Sequence, residues 1–218
     1  MTGPVHRPVV VGIAGGSGSG KGYLVRRLME RLGKERCVRV EQDWYYADLS
    51  TMPVAERAQR NFDHPEAIDF ALLVRHLPEL IRGNTIQRPV YDFALHTRRP
   101  ETVSLSPAEV ILVEGILVLH DSRLRALCDI RVFVEAPEEV RFQRRLARDI
   151  ATRGRTEESV RVQFAQSVRP MHQAYVEPSR QFADLVIDGC GEDLDGFQAL
   201  VRRIEQELAS RRALVKQE

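Results

Sequence analysis

A short glycine-rich segment that ends in a lysine is the strongest chemical signal in the sequence. It reads Gly15-Gly16-Ser17-Gly18-Ser19-Gly20-Lys21 and has the phosphate-loop spacing GxxxxGK. Glycines let successive backbone N–H groups point at one polyphosphate, and the lysine ammonium neutralises the outer phosphates. A flexible linker is the alternative, but the segment lies between an apolar run and a helical pattern, as the motif requires. We therefore expect these residues, with Gly22, to bind a nucleoside triphosphate.

The residue after the lysine departs from the phosphate-loop pattern. That position normally carries Ser or Thr, whose hydroxyl binds magnesium, and here it is Gly22. A water molecule can replace the missing ligand at some cost in metal affinity, because magnesium keeps several waters in such sites. The alternative is that phosphoryl transfer is weakened or lost. Tyr23 would have to reach back past the loop to supply a hydroxyl, and we do not expect this.

Two acids are candidates for binding the metal and for accepting a proton. Glu114 ends the apolar run 110–113, and Asp43 follows a strand that ends near Glu41. An acid at the carboxyl end of a second strand holds magnesium in phosphate-loop proteins, and an acid at the same edge can deprotonate an attacking hydroxyl. The alternatives are a solvated strand-end carboxylate for Glu114 and a turn residue for Asp43.

The elements that must position these residues alternate along the chain. Residues 9–14 form a β-branched run too short for a helix, and residues 21–32 show helical spacing before Gly33, a predicted C-terminal cap. Further short apolar runs follow at 37–40, 110–113, 130–134 and 185–187. Strands that alternate with helices predict an α/β layer structure.

Two stretches interrupt this alternation. Residues 42–64 are polar and aromatic without clear periodicity, which predicts a long functional loop. Residues 84–105 hold short β-like pieces around Pro89 and Pro100, which predict a small antiparallel excursion. Further helices are predicted at 137–152, at 157–175 with Pro170 as a kink or break, and at 193–212.

Length and composition exclude several classes of protein. The chain has 218 residues and a mass of 24.9 kDa, which predicts one domain spanning 1–218. Its 32 Lys and Arg nearly cancel 31 Asp and Glu, so no global charge indicates a nucleic-acid or membrane partner. Its 3 cysteines contain no CxxC pair, which argues against disulfides and zinc. No apolar run is long enough to span a membrane, and we expect a cytoplasmic protein.

An arginine-rich stretch at 141–155 concentrates positive charge. Its arginines are Arg141, Arg144, Arg145, Arg148, Arg153 and Arg155, and Asp149 is the single acid among them. A solvated helix face would alternate charges, whereas arginines on a lid can stabilise a transferring phosphoryl group and exclude water. Single-stranded RNA binding is not expected, because stacking aromatics are not interleaved with these arginines.

The sequence resembles the uridine kinase (uridine-cytidine kinase) family over nearly its whole length. The resemblance lies in GIAGGSGSGK at 12–21, QDWYYADLS at 42–50, NFDHPEAIDF at 61–70, PVYDFALHTR at 89–98, VEGIL at 113–117, RRLARDIATRGR at 144–155 and VRPMHQAYVEPSRQFADLVI at 168–187. It implies a P-loop NTPase-type fold with three α/β/α layers and a five-stranded, mainly parallel sheet. A β-hairpin at about 84–105 and a helical arginine lid at about 141–155 would complete the fold.

The resemblance also implies an activity: transfer of the γ-phosphoryl group of ATP or GTP to the 5′-hydroxyl of uridine or cytidine, with Mg²⁺, in pyrimidine salvage. Asp43 is implied as the general base beside the metal, and Glu114 as the second metal ligand. Lys21, Arg148 and Arg153 are the other catalytic residues that it implies. Trp44 departs from the serine that usually follows the base. Family members are often tetramers, so a homotetramer is expected.

A nucleoside pocket follows from the same resemblance. Phe62 and Asp63 resemble residues that face the nucleoside, with Asp63 accepting ribose hydroxyls; a helix cap before Pro65 is the alternative for Asp63. Arg145 and Arg155 resemble nucleoside or phosphate contacts.

The base itself is expected to contact another group of residues. Tyr91, Phe93 and His96 resemble the base pocket, and Gln163 resembles a reader of the base. An imidazole can donate or accept a hydrogen bond according to its tautomer, which suits both uracil O4 and the cytosine N4 amine. Without the family, core packing would be the expected role of Tyr91 and Phe93, and His96 would be expected to be a surface histidine or a core histidine with its hydrogen bonds satisfied.

Two alternative functions remain open at the level of the sequence. The first is a nucleotide-binding regulator that keeps the fold but not efficient catalysis, which Gly22 and Trp44 suggest. The second is a related kinase that acts on another small alcohol, such as pantothenate or a sugar phosphate.

Overall fold

The computed structural model describes residues 6–191 and 193–215. Its strands are β1 (Val9–Ala14), β2 (Cys37–Glu41), β3 (Ile86–Asp92), β4 (Thr97–Leu105), β5 (Val110–Glu114), β6 (Ile130–Glu135) and β7 (Leu185–Asp188). Five of them form a parallel sheet in the order β2-β5-β1-β6-β7. The predicted strands of this sheet are confirmed to within one residue at each end.

The helices surround this sheet. They are α1 (Lys21–Leu32), α2 (Val54–Arg57), α3 (Phe70–Ile81), α4 (Ser122–Leu127), α5 (Glu138–Arg153), α6 (Glu157–Gln163), α7 (Arg169–Met171) and α8 (Leu194–Val215). The predicted cap of α1 is confirmed, because the Gly33 N–H donates to Met29 O and Gly33 has a φ of 99°. None of the described helices is long and apolar enough to cross a membrane.

Both faces of the sheet are covered, which explains the continuous apolar runs. Successive side chains of a strand point to opposite faces. Val9 and Val11 of β1 pack in one core with α1 and α8, whereas Val10 packs in a second core with α3 and α4. Each fully buried Val, Leu or Ile side chain stabilises the fold by roughly 1.5–3 kcal/mol. The three-layer α/β/α architecture is therefore confirmed.

The register of the central strands places the chemistry at one edge of the sheet. β1 pairs with β5 so that Ile13 lies beside Glu114, and β2 pairs with β5 so that Glu41 lies beside the same Glu114. The strands are parallel, so their carboxyl ends meet at this edge. The glycine-rich loop after β1, Asp43 after β2 and Glu114 are thus brought together, as ligand-binding residues are in open α/β sheets.

Strands β3 and β4 form a separate antiparallel hairpin, which confirms the predicted excursion. The hairpin is attached to the main body through Arg98. Its guanidinium donates to Tyr46 O at 2.7 Å and Tyr45 O at 3.2 Å, and lies 3.2 Å from Asp69 Oδ2. These bonds hold one wall of the hairpin against the segment that follows β2.

Two details of the secondary structure differ from the predictions. Residues 42–64 are not one irregular loop, because they contain a 3-10 turn at Gln42–Tyr45 and the short helix α2. Pro170 neither breaks nor ends its helix, which continues through wide π turns at Phe164–Val168 and His172–Val176 on either side of it. Proline cannot donate a helical hydrogen bond, and the wider turns change the bonding pattern around it.

Candidate active site

The glycine-rich segment forms a loop that holds the ammonium group of Lys21. Lys21 Nζ donates to Gly15 O at 2.8 Å and to Gly16 O at 2.9 Å. Burial lowers the pKa of Lys21 to about 8, although Glu114 and Asp43 act in the opposite direction. The ammonium is therefore still largely protonated at neutral pH and lies where the outer phosphates of a nucleotide would be expected.

The conformation of the loop requires glycine at two positions. Gly15 has a φ of 142°, and a Cβ there would lie 2.2 Å from Val134 O. Gly18 has a φ of 80°, and a Cβ there would lie 2.2 Å from Arg141 O. A side chain at either position would collide with backbone and strain the left-handed conformation. The loop is thus packed tightly between β6 and the first turn of α5.

Arg141 and His172 contact the same loop, which the sequence did not reveal. A Cβ on Gly16 would lie 2.7 Å from Arg141 Nη1 and 3.1 Å from His172 Cε1. Burial, together with the charges of Arg141 and Lys21, lowers the pKa of His172 to about 4. The imidazole is therefore neutral at physiological pH. The signal for Arg141 was its place in the arginine-rich stretch, whereas His172 had no distinguishing sequence signal.

The two candidate carboxylates differ in their surroundings. Glu114 is 8% exposed, and its Oε1 accepts two hydrogen bonds from Arg39, one from Nε at 2.8 Å and one from Nη2. Asp43 lies in the 3-10 turn after β2. Burial raises the pKa of Asp43, and the charges of Arg153 and Lys21 oppose that rise. Asp43 is therefore the more available proton acceptor, and Glu114 already has a cationic partner.

These residues fit a hard divalent cation, although with one side-chain ligand fewer than the usual phosphate loop supplies. Carboxylate oxygens are the ligands that Mg²⁺ prefers, and Asp43 and Glu114 supply them at one sheet edge. Gly22 supplies no side-chain ligand, and the described residues contain no cluster of three or more His, Cys, Asp or Glu that could enclose a metal. A magnesium ion that bridges phosphates needs only one or two carboxylates, so the pair is sufficient.

The lid arginines gather around one buried acid. Asp149 is fully buried on α5, and its carboxylate lies 3.4 Å from Arg145 Nε, 2.8 Å from Arg148 Nη2 and 3.6 Å from Arg153 Nε. Three guanidiniums on one face would repel each other strongly without this counter-charge. Asp149 therefore makes the predicted cluster of arginines possible, and the sequence identified it only as the single acid of the segment.

Arg145 connects the lid to both other parts of the site. Its Nη1 donates to Ser17 Oγ at 2.9 Å and lies 3.9 Å from Asp63 Oδ1. Its Nη2 donates to Gln163 Oε1 at 2.9 Å, and Arg155 Nη1 donates to the same oxygen. The predicted residues are thus brought together, but Gln163 holds two arginines with the oxygen that would otherwise be free to contact a base.

The expected aromatic residues also converge. The rings of Phe62 and His96 stack with centroids 5.2 Å apart, and those of Tyr91 and Phe93 meet edge to face at 5.1 Å. Tyr46 joins the two pairs, at 5.4 Å from Phe62 and 4.9 Å from Tyr91. Tyr46 was not predicted as a site residue from the sequence, although it stands three residues after Asp43 in the QDWYY segment.

Polar groups in this aromatic cluster are suited to a ligand. Burial and the charges of Arg155 and Arg153 lower the pKa of His96, which keeps its imidazole neutral. Tyr91 Oη is buried and has no hydrogen-bond partner in the described part of the chain. Arg153 lies over the Phe93 ring at 4.7 Å from its centroid, so the lid touches the hairpin.

Asp63 is a buried acid and not a helix cap. It is 6% exposed, and burial raises its pKa although Arg145 opposes that rise. The cap of the turn that starts at Pro65 is His64, whose Nδ1 accepts from the Glu66 N–H. The alternative reading of Asp63 as a cap is therefore wrong.

Trp44, which stands in place of the serine expected after Asp43, and Tyr23, which was considered as a source of the missing hydroxyl, both make contacts with arginines. Trp44 stacks under the guanidinium of Arg88 from β3, at 3.9 Å from its ring, and so helps to attach the hairpin. Tyr23 is 52% exposed, with Arg26 5.2 Å and Arg27 5.7 Å from its ring centroid. The first finding gives Trp44 a packing contact with the hairpin, and the second agrees with the expectation that Tyr23 does not replace the hydroxyl.

The chain is similar in sequence to known kinases over nearly its whole length. The model of the phosphoribulokinase / uridine kinase family matches residues 10–194. The chain is 45% identical over 208 residues to the uridine kinase of Geobacillus kaustophilus, covering 95% of this chain and 99% of that protein. It is also 45% identical over 201 residues to the uridine kinase of Clostridium botulinum, covering 92% and 98% of the two chains.

Solved structures support the fold. The phosphoribulokinase of Rhodobacter spheroides superposes with a TM-score of 0.62 at 17% identity, covering 86% of this chain and 74% of that one. The D-glycerate 3-kinase of Cryptococcus neoformans superposes with a TM-score of 0.59 at 20% identity, covering 80% of each chain. At these identities the likeness concerns the arrangement of the backbone.

Proposed function

Because this chain belongs to the phosphoribulokinase / uridine kinase family, we propose that it transfers the γ-phosphoryl group of ATP to the 5′-hydroxyl of uridine or cytidine. The observation that carries the proposal is the setting of Asp43 in the turn after β2, where burial raises its pKa and where Lys21 and the lid arginines Arg148 and Arg153 are close enough for their charges to oppose that rise. The relatives named uridine kinase support a nucleoside as the acceptor. They do not favour a regulator without catalysis.

Asp43 is the proposed general base. Its carboxylate accepts the proton of the 5′-hydroxyl as the oxygen attacks the γ-phosphorus. A buried carboxylate with a raised pKa holds that proton better than an exposed one, and positioned bases of this kind contribute typically 10²–10⁴-fold to rate. Arg153 and Lys21 favour the ionised form of this acid, because their charges oppose the rise of its pKa.

The phosphate side binds and orients the nucleotide. The backbone N–H groups of residues 15–22 bind the phosphates, and Lys21 neutralises their outer oxygens. Arg148 and Arg153 stabilise the charge that develops on the transferred group. We propose Mg²⁺ as the cofactor, with Asp43 and Glu114 as the residues that would hold it. When bound, the ion neutralises charge on the phosphate oxygens.

The nucleoside side holds the acceptor. Asp63 accepts hydrogen bonds from the ribose hydroxyls. Arg145 lies beside Asp63, and Arg155 is held in the lid by its bond to Gln163. The base is enclosed by four aromatic side chains: Phe62, Tyr91, Phe93 and His96. The neutral imidazole of His96 can present a donor to uracil or an acceptor to cytosine, so both nucleosides are expected to bind.

The setting of the activity is also part of the proposal. A kinase that consumes ATP and releases a nucleoside monophosphate for reuse is expected to act in the cytoplasm. We propose a homotetramer on the basis of the family resemblance. Light scattering after size-exclusion chromatography would measure the mass of the assembly, and a monomer would contradict this part of the proposal.

The deciding experiment is a direct assay. Purified protein is incubated with ATP and uridine, or ATP and cytidine, over a series of magnesium concentrations, and the monophosphate is quantified by chromatography. Lys21→Ala is the matched inactive control. Formation of UMP or CMP supports the proposal, and no transfer at any magnesium concentration would overturn it. A kinase of another alcohol would show transfer to that alcohol without competition by uridine or cytidine.

A further inference from the structure

The surroundings of Gly22 contain a residue that neither the sequence motifs nor the family assigns to the site. A Cβ on Gly22 would lie 3.6 Å from Arg39 Nη2 and 3.9 Å from Glu114 Oε1. Arg39 comes from the middle of β2 and reaches across the strand ends to the first turn of α1. The space that a Ser or Thr side chain would face is therefore occupied by a guanidinium.

The guanidinium is bonded to the proposed metal ligand. Both of its hydrogen bonds to Glu114, from Nε at 2.8 Å and from Nη2, go to Oε1. The Glu114 side chain is 10% exposed and that of Arg39 is 37% exposed, so the bond is partly shielded from solvent. Charge-assisted bonds of this kind fix the orientation of a carboxylate and reduce its attraction for a second cation.

We propose that Arg39 is a positioning residue that occupies the space that a Ser or Thr side chain at position 22 would face. It fixes the orientation of Glu114 and lowers the affinity of this part of the site for the divalent cation. The inference rests on the proposed function, because it concerns the cation that accompanies ATP. The enzyme would accordingly bind its metal mainly through the nucleotide and Asp43, with Glu114 shared between the ion and Arg39.

A purely structural role makes a different prediction. Glu41 and Glu114 lie side by side on neighbouring strands, and Arg39 Nη1 is also 3.3 Å from Glu41 Oε1. If Arg39 only relieves repulsion between these two acids, its removal would lower the melting temperature and leave metal binding unchanged. The two roles are therefore separated by a direct measurement of metal affinity.

The test uses Mn²⁺ as a paramagnetic probe. Mn²⁺ is titrated into the protein saturated with an ATP analogue that has a methylene group between the β and γ phosphorus atoms. The EPR signal reports the unbound ion, and the same titration of the analogue alone is subtracted. Arg39→Leu is expected to lower the dissociation constant of the ion by about tenfold, because the competing charge has been removed.

Three further variants sharpen the result. Arg39→Lys keeps the competing positive charge beside Glu114, although not the two guanidinium bonds, and its dissociation constant is expected to stay within about twofold of the parent value. The Cβ of Gly22→Ser has room, but its hydroxyl would face the Arg39 guanidinium, so with Arg39 in place this variant is expected to change metal affinity by less than about twofold. In the double variant, Gly22→Ser with Arg39→Leu, the dissociation constant for Mn²⁺ is expected to fall by more than the product of the two single effects.

The matched control is Arg36→Leu. Arg36 makes a similar bond to Glu109, with its Nε 2.8 Å from Oε2, but it lies just before β2 and away from Gly22. Its removal should not change the affinity for Mn²⁺. An unchanged or raised dissociation constant in Arg39→Leu would overturn the inference and leave the proposed function intact. Tight metal and nucleotide binding without transfer to uridine would overturn the proposed function and leave this inference intact.

Discussion

The two sides of the site are built in different ways. The phosphate side, residues 15–22, is one continuous segment between a strand and a helix, and its shape depends on backbone conformation. The nucleoside side consists of Phe62, Asp63, the β3–β4 hairpin and the lid residues of α5 and α6. It comes from separate parts of the chain, and side-chain charges and rings hold it together. Of the α5 arginines, Arg145 belongs to this side, whereas Arg148 and Arg153 face the transferred phosphoryl group in the proposed mechanism and so join the two sides.

Because of this difference, the two sides should be sensitive to different kinds of substitution. On the phosphate side, Gly15 and Gly18 leave no room for even one additional carbon atom. On the nucleoside side, the arginines depend on Asp149 for their compensating charge and the rings depend on one another. Steric changes should therefore damage the first side, and removal of charge should damage the second. Asp43 lies between the two and serves both.

The largest effect is expected at that junction. Asp43→Asn should lower kcat by about 10³-fold because the base is lost, while the affinity for ATP measured without divalent metal changes by no more than about twofold. Steady-state kinetics with both substrates, together with equilibrium nucleotide binding, would measure this. Glu56→Gln, an exposed acid on α2, is the control and should behave like the parent protein. Equal losses of kcat and ATP affinity would instead indicate a structural role for Asp43.

A steric change on the phosphate side should come next. Gly18→Ala places a Cβ 2.2 Å from Arg141 O and should destabilise the protein by about 3 kcal/mol or more, with a matching loss of ATP affinity. Urea denaturation would measure the free energy of unfolding. Gly154→Ala is the matched control, because Gly154 has a φ of 62° but no atom within 4 Å of its added Cβ among the described residues. It should cost only about 1 kcal/mol, and equal costs at both positions would contradict the steric argument.

Removal of charge on the nucleoside side should have a somewhat smaller effect. Asp149→Asn leaves three arginines without their shared counter-charge and should cost about 2–3 kcal/mol of stability. It should also raise the KM for uridine more than the KM for ATP, because Arg145 loses the partner that orients it. Glu139→Gln on the same helix is the control. A rise confined to the KM for ATP would show that the lid belongs to the phosphate side alone.

The smallest effect concerns pH. The folded protein keeps His172 neutral, with a pKa lowered from 6.5 to about 4 by burial and by Arg141 and Lys21. The unfolded chain binds a proton near pH 6.5, so this part of the stability is complete above 6.5 and is lost as the pH falls towards 4. The loss should reach about 2 kcal/mol at pH 4.5.

His172→Gln provides the comparison for that pH dependence. The unfolding free energies of the parent and the variant, measured from pH 7 to pH 4.5, should converge as the pH falls. Parallel curves would show that His172 does not cause the acid sensitivity.

The phosphate side could be predicted from the sequence because its signal is local. Strand, glycine spacing and helix follow one another within residues 9–32, and each is specified by its own residues. The strands of the main sheet were predictable for the same reason, since buried parallel strands are continuous apolar runs.

The connections between distant segments could not be predicted in this way. The bond of Arg39 to Glu114, the stacking of Trp44 with Arg88, and the contact of His172 with Gly16 all join residues far apart in the chain. Their partners depend on register and on the directions of side chains in the folded state. The nucleoside residues were found through the family resemblance. The alternative role of Asp63 as a helix cap was wrong, because the neighbouring residue His64 is the N-cap.

The β3–β4 hairpin is expected to form early during folding, and the glycine-rich loop late, although the loop is the easier of the two to recognise in the sequence. The β3–β4 hairpin pairs Ile86 with Leu105, close along the chain, whereas β1 pairs Val9 with the distant Val110. Local pairs close early and distant parallel pairs close late, because a longer loop loses more entropy. The hairpin wall of the nucleoside pocket should therefore exist before β1 is in place, and the glycine-rich loop, which is the clearest motif in the sequence, should acquire its final shape among the last.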